Sequence, residues 1–349
     1  MSVMRGRFLH IFMIALLLSL SSCSKTQVSG DGKQEIAVRC PVVKSEAYPE
    51  NGIFGVYAFH MPVSAGSNRV ENWNASDVTR YLDNVAFKYD GVTAVGWEDG
   101  AHRPYYWPLS GSMVFACYSP FQSESGGTIT SVSYNDNLSS GRKENPQILI
   151  NFAQKDTPSE MVDLLYFTTM NRSVDKTQGS VPVTFSRALS KVAFYFSDAN
   201  GYYRIDNIKV SNCVNKGVFF AAVETPGWYP DHTALVEYVL VDDSVKELTS
   251  EPDNFDVNPL LAVPQPMNGE YPTLNVATGK EIVLSFDLLD KEDEHFVYTM
   301  NISLNNPDNL PVKWEKGVSY SYYINIESDR IEFDEPVVSV MVVDTPDTI

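Results

Sequence analysis

The sequence is poor in residues that bind metals or form covalent cross-links: 349 residues include only 4 cysteines and 5 histidines. No Cys-x-x-Cys pair, no His-x-x-x-His pair and no nucleophile elbow occurs. These absences argue against a structural zinc site, a zinc protease and a serine hydrolase of the usual kind. We therefore predict no catalytic residue, no cofactor and no metal site, and we expect the protein not to be an enzyme.

Basic residues are also scarce, with 26 lysines and arginines against 44 acidic residues. Arg5 and Arg7 lie in a predicted signal segment, so 24 basic residues would remain against 44 acidic ones, a net charge of −20. Nucleic-acid-binding surfaces are basic, and this balance argues against such a partner. It fits an exported, self-repelling protein of the cell envelope.

No apolar run is long enough to cross a bilayer, which needs about 20 residues. The run of residues 11–20 follows two arginines and is typical of a signal peptide, here residues 1–22. Its end, Leu20-Ser21-Ser22-Cys23, resembles the lipobox of bacterial lipoproteins. The resemblance implies cleavage before Cys23, diacylation of its sulfur and attachment to the outer membrane. The alternative is a plain secretory signal followed by an incidental cysteine.

The cysteines after Cys23 are Cys40, Cys117 and Cys213, an odd number that cannot all pair within one chain. Export would permit a bridge between Cys40 and Cys117, but buried free thiols explain the sequence equally well. The disulfide state therefore stays open.

Aromatic residues and turn formers are abundant, and no sustained helical stripe occurs. Ile36, Val38 and Cys40 alternate with polar or small residues, and Val181, Val183 and Phe185 do the same. Such alternation predicts half-buried strands, and the nearly continuous apolar run of residues 112–118 predicts a further strand. Residues 23–34 read as a flexible tether, residues 91–100 as a turn region and residues 171–180 as a linker. We predict an all-β fold with one β-sandwich over residues 35–175 and another over residues 176–349.

Six groups of residues follow one another along the chain: Phe54-Gly55-Val56-Tyr57-Ala58, Tyr106-Trp107-Pro108 with Phe115-Ala116-Cys117-Tyr118-Ser119-Pro120, Asp163-Leu164-Leu165-Tyr166, Phe185-Ser186-Arg187-Ala188-Leu189-Ser190-Lys191-Val192, Leu261-Ala262-Val263-Pro264-Gln265, and Trp314-Glu315-Lys316-Gly317 with Tyr320-Ser321-Tyr322. Together they resemble the fimbrillin family of Bacteroidota, the Mfa-like lipoproteins. Arg187 stands where that family often has histidine, and no tryptophan occurs near Val340.

The resemblance implies two transthyretin-like β-sandwiches and a role as stalk, tip or anchor subunit of a type V pilus at the cell surface. It also implies other pilus subunits as partners. In such pili a protease, often one that cuts after arginine, removes the first strand, and a neighbour's strand fills the groove. Arg39 is the candidate processing site, or else a solvent-facing residue of the first predicted strand. Val338, Val340 and Val342 form the candidate donor row, or else an ordinary edge or core strand of the second sandwich.

A second function class remains open, a surface lipoprotein that binds a glycan or another host ligand. Trp97 and Trp107 are the aromatic residues that such a ligand would stack on. Dense aromatics are more often packed in a sandwich core, and the sequence does not separate the two cases.

Overall fold

The computed structural model describes residues 33–43, 46–61, 79–135, 147–172, 180–222, 225–272, 274–292, 297–305, 310–327, 331–334 and 336–340. The predicted signal peptide, Cys23 and Val342 lie outside these residues. Within the described part, the regular elements are β-strands and two single 3-10 turns, at Gln122–Glu124 and Pro158–Glu160. The prediction of an all-β fold is confirmed. None of the described helical segments has the length and apolar character needed to cross a membrane.

The strands of the first part of the chain are β1 Ala37–Val43, β2 Glu46–Ala47, β3 Ile53–Met61, β4 Thr79–Tyr89, β5 Thr93–Glu98, β6 Ala101–His102, β7 Ser112–Ser119, β8 Ile129–Asn135, β9 Gln147–Ala153, β10 Leu165–Arg172 and β11 Ser180–Arg187.

The strands of the second part are β12 Ser190–Ser197, β13 Tyr203–Val214, β14 Lys216–Ala221, β15 Gly227–Pro230, β16 Leu235–Val239, β17 Lys246–Glu247, β18 Leu260–Ala262, β19 Glu270–Tyr271, β20 Val276–Ala277, β21 Val283–Asp290, β22 Val297–Ser303, β23 Val318–Ile326, β24 Ile331–Phe333 and β25 Val337–Val340.

The largest sheet has nine strands in the order β2-β1-β11-β10-β7-β3-β4-β5-β6, and β1 also pairs with β5. This extra pairing closes the sheet on itself. β1 runs parallel to β11, with Val38 opposite Val181, and antiparallel to β5, with Val38 opposite Ala94. The first strand of the described chain is therefore an interior strand with a partner on each side.

β7 shows why part of this sheet is apolar on both faces. Met113, Phe115 and Cys117 pack in the core that the closed sheet surrounds. The intervening residues of β7 pack in a second core, which they share with the sheet β15-β14-β9-β8. A strand covered on both faces has a nearly continuous apolar sequence instead of an alternating one, as the run over residues 112–118 predicted.

A third core lies between two further sheets in the second part of the chain. One has the order β18-β12-β23-β24, with β25 also on β23, and the other has the order β16-β13-β21-β22, with β17 on β13. Phe196 of β12 meets Phe286 of β21 edge to face, with ring centroids 5.3 Å apart. Burial alternates along the whole of β23, as expected for a strand with one face on a core.

The sheets cross the boundary expected between residues 175 and 176. β11 follows that boundary but pairs with β1 and β10 of the first sheet. β14 lies further along the chain and pairs with β9. The domain division and the transthyretin-like arrangement stay predictions, and strand pairing favours a first unit that extends through Arg187 and includes β14 and β15.

One prediction from the sequence is wrong: the turn expected over residues 91–100 contains a strand, β5. Gly96 lies within this strand. A Cβ atom there would come within 2.3 Å of the Arg103 carbonyl oxygen and 2.5 Å of the Tyr105 ring. Glycine is needed at this position because another segment passes close to the backbone, a requirement that a sequence does not distinguish from a turn.

Buried tyrosines make the fold sensitive to alkali. The Tyr48 hydroxyl lies 2.8 Å from Ser119 Oγ, and burial raises the pKa of Tyr48 to about 12. Burial also raises the pKa of Tyr57 to about 12. The unfolded chain releases these protons near pH 10, so the contribution of these two tyrosines to stability should fall as the pH rises from about 10 toward 12.

Denaturant unfolding at several values between pH 8 and pH 11.5 checks this expectation. Tyr48→Phe removes one titrating group and should make the alkaline loss of stability shallower than in the wild type. A free energy of unfolding that stays constant across this range would contradict the prediction.

Candidate site for strand exchange

The candidate processing residue, Arg39, lies within β1 and is half-buried. Its backbone stands opposite Pro182 of β11 on one side and Thr93 of β5 on the other. Proteases prefer exposed, flexible segments, and a chain bonded to two neighbouring strands does not fit that preference. Cleavage after Arg39 would therefore require local opening of β1.

The residues that precede Arg39 are buried on both faces of the strand. Ile36 is 0% exposed and Val38 1% exposed, and both belong to the core that the closed sheet surrounds. Ala37 points to the opposite face and is also buried, at 8% exposed. A chain that replaces this segment must present apolar side chains at alternate positions and a small one between them.

The candidate donor row behaves differently, because β25 lies at the edge of its sheet. Its partner among the described strands is β23, with Val338 opposite Tyr320 and Val340 opposite Val318. Val337 is 56% exposed and Val338 51% exposed, whereas Tyr320 is buried. β25 thus attaches to the sandwich mainly through backbone hydrogen bonds. Val342 lies outside the described residues, and for Val340 only the backbone pairing is described.

A buried polar junction that the sequence did not predict joins the two parts of the chain at Gln154. Its side-chain amide donates to the carbonyl oxygens of Val162 and Leu261, at 3.0 and 2.9 Å. Its side-chain oxygen accepts from the backbone N–H groups of Lys155 and Val162, both at 3.0 Å. Gln154 is 4% exposed, so these hydrogen bonds form away from water.

The same junction contains an ion pair between Arg187 and Asp163, at the position where the family often has histidine. Lys316 Nζ also donates to the Tyr166 hydroxyl, at 3.2 Å. The ion pair joins the end of β11 to the segment before β10, and the lysine joins β10 to the second part of the chain. They indicate that Arg187 serves the junction and is not aimed at a ligand.

The aromatic residues proposed for glycan stacking occupy unequal positions. Trp107 is 7% exposed and packs edge to face on Phe115, at 5.7 Å between ring centroids, so its faces belong to the core. The Trp97 ring has the Lys88 ammonium 4.5 Å from its centroid. Trp107 is therefore buried away from any sugar, whereas Trp97 is half-buried and has a lysine over its ring.

Cys117 and Cys213 are free thiols, and both are fully buried. Burial raises the pKa of each thiol well above its ordinary value, which keeps the sulfur protonated and unreactive. The side chain of Cys40 lies outside the described residues, so a bridge from it stays a question for experiment. Among the described residues, no group of three or more His, Cys, Asp or Glu side chains could hold a metal ion.

Comparison with known proteins gives fold relatives at low identity. A candidate cell adhesion protein from Bacteroides uniformis has 13% identity and a TM-score of 0.52, with 90% of this chain and 99% of that chain covered. A candidate cell adhesion protein from Bacteroides ovatus has 13% identity and a TM-score of 0.50, with the same coverage. The tip fimbrial protein Mfa3 from Porphyromonas gingivalis, with C-terminal truncation, has 11% identity and a TM-score of 0.41, with 87% and 98% covered.

No curated protein matches the sequence significantly. Likeness to solved structures at such low identity establishes the fold alone. The family model described as fimbrillin-like matches residues 50–340, which is most of the chain. The chain therefore belongs to the fimbrillin-like family.

Proposed function

We propose that this protein is a subunit of a cell-surface fimbria, tethered to the outer membrane through lipid on Cys23 and joined to its neighbours by strand exchange. Membership of the fimbrillin-like family supports a fimbrial role. The observation that carries the mechanism is the contrast between β1 and β25. β1 is interior and buried on both faces, whereas β25 is a short, exposed edge strand.

Loss of the part of β1 that ends at Arg39 would open the closed sheet between β11 and β5, because Val38 and Arg39 make the pairing with β5. The backbone N–H and C=O groups that face β1 would lose their partners, and the core around Ile36 and Val38 would meet water. A strand from a neighbouring copy would satisfy the backbone groups and cover the core in one step, which is β-augmentation.

The C-terminal strand has the sequence that this position requires. Val338-Ser339-Val340 repeats the apolar, small, apolar order of Ile36-Ala37-Val38. In this match Ser339 takes the position of Ala37, where the native side chain is small and buried. The alternative alignment, Val340-Met341-Val342 on residues 36–38, would place a methionine at that position. The match therefore favours Val338-Ser339-Val340, with Val342 further along the groove.

Mass spectrometry of the native N terminus tests the proposal, because one spectrum reports both acylation and cleavage. In polymers extracted from the cell surface, we expect chains that begin at Cys40, which is cleavage after Arg39. Unassembled chains are expected to begin at acylated Cys23. If every assembled copy kept acylated Cys23, the chain would be an anchor or a lipoprotein unrelated to pili, and the processing step would be wrong.

A further inference from the structure

The segment that precedes β1 is held by a second part of the chain, residues 102–107. The backbone N–H of Ile36 donates to the Tyr105 carbonyl oxygen at 2.7 Å, and the N–H of Trp107 donates to the Gln34 carbonyl oxygen at 2.9 Å. Glu35 and Tyr106 form the antiparallel bridge between these two bonds. Residues 34–36 thus pair like a strand with residues 105–107. We call residues 102–107 the clasp.

Side chains reinforce this pairing. His102 Nε2 lies 2.6 Å from Glu35 Oε1, and because a carboxylate only accepts, the imidazole donates this hydrogen bond. The Glu35 side chain is only 13% exposed, and that of His102 is 47% exposed. The Lys33 ammonium lies 5.8 Å from the centroid of the Tyr106 ring. The clasp therefore contacts four successive residues of the segment, 33–36.

The clasp is itself fixed to the body of the protein. Trp107 is buried in the core of the closed sheet. The Tyr81 hydroxyl of β4 donates to the Tyr106 carbonyl oxygen at 2.7 Å, and the Arg103 N–H donates to the Gly96 carbonyl oxygen of β5 at 2.8 Å. Moving the clasp as a unit would expose Trp107 and break these bonds, so it acts as a rigid support for the segment.

We propose that the clasp retains the N-terminal segment after the chain has been cut, so that cutting alone does not open the groove. This inference rests on the proposed function. The residues that the clasp contacts all precede Arg39. They would therefore belong to the fragment that cleavage separates from the chain, and the clasp could still bind it. The groove then opens only when an incoming strand displaces the fragment, which protects the exposed core and unpaired edges from non-specific association.

A cut that does not depend on Arg39 tests the clasp directly. A chain that begins at Ser24, and so lacks the signal peptide and the lipidated cysteine, receives a recognition sequence for a site-specific protease in place of residues 44 and 45. After cutting, gel filtration and intact mass measurements follow the dissociation of the fragment. We expect the fragment to stay bound through gel filtration, and His102→Ala to raise its dissociation rate about threefold to fivefold.

The matched control is Lys313→Ala, which removes another partly exposed ion pair, 2.6 Å from Glu315, outside this region. It should leave the dissociation rate unchanged. The double variant Glu35→Ala with His102→Ala should release the fragment no faster than either single variant, since both remove the same contact. Thermal unfolding of the uncut variants shows that each one folds.

Immediate loss of the fragment from the wild-type chain would overturn the inference, as would equal rates in His102→Ala and Lys313→Ala. Failure of the proposed function looks different. In that case the clasp holds the fragment as expected, but surface extracts contain no polymers and no chain cut after Arg39.

Discussion

Deletion of residues 337–349 is expected to abolish the assembly of this protein into SDS-resistant polymers while leaving the monomer folded. Val337 and Val338 are more than half exposed, so the loss of these two side chains removes little buried apolar surface. β23 loses its partner along residues 318–321 on one side. On its other side it remains paired with β12. Ladders in surface extracts and the thermal unfolding midpoint of the purified chain are the two measurements. Global unfolding of the truncated chain would instead make β25 an ordinary structural strand.

Ser339 supplies a sharper version of this test with its own control. Ser339 is exposed in the free chain, so both Ser339→Trp and Ser339→Ala should fold normally. In the assembled state the side chain would take the place of Ala37, which is 8% exposed. Alanine fits that space and should permit assembly, whereas tryptophan should reduce polymer yield by at least tenfold. Equal polymer yields from the two variants would exclude the proposed alignment.

Gln154→Leu is expected to destabilise the folded chain strongly. Leucine has a similar size but cannot replace the four hydrogen bonds of the buried amide. Two carbonyl oxygens and two N–H groups would lose these partners in a buried environment, which should lower the free energy of unfolding by about 3–5 kcal/mol. Denaturant unfolding measures this change.

Gln122→Leu is the control for that substitution. The Gln122 side chain donates one partly exposed hydrogen bond to the Thr130 carbonyl oxygen, at 2.9 Å. Water can replace this partner, so the change should stay below about 1 kcal/mol. If the two variants lose similar stability, the junction at Gln154 is not the connection that the structure indicates.

Local patterns in the sequence predicted much of the strand content but little of the pairing. The alternation of Ile36 and Val38 predicted β1, and the apolar run over residues 112–118 predicted β7. Nothing local indicates that β1 pairs with β11, because this contact joins residues more than a hundred positions apart. The segment expected to be a linker, residues 171–180, overlaps the end of β10 and begins β11 at Ser180.

The candidate site was partly predictable for the same reason. The alternating valines predicted a strand near the end of the sequence, and the structure has one over residues 337–340, paired with β23. The clasp was not predicted, because its hydrogen bonds are formed by the backbone and any residue could supply them. Gln154 was missed because its acceptor at Leu261 lies 107 residues away.

Photo-cross-linking from position 338 in assembled fibres tests strand exchange most directly. Photo-leucine, which is close to valine in size, replaces Val338, and mass spectrometry identifies the cross-linked peptide. Strand exchange predicts links to β11 or β5, the neighbours of β1, in a different copy of the chain. Links confined to the region around Tyr320 of the same chain, where Val338 lies in the free protein, would contradict it.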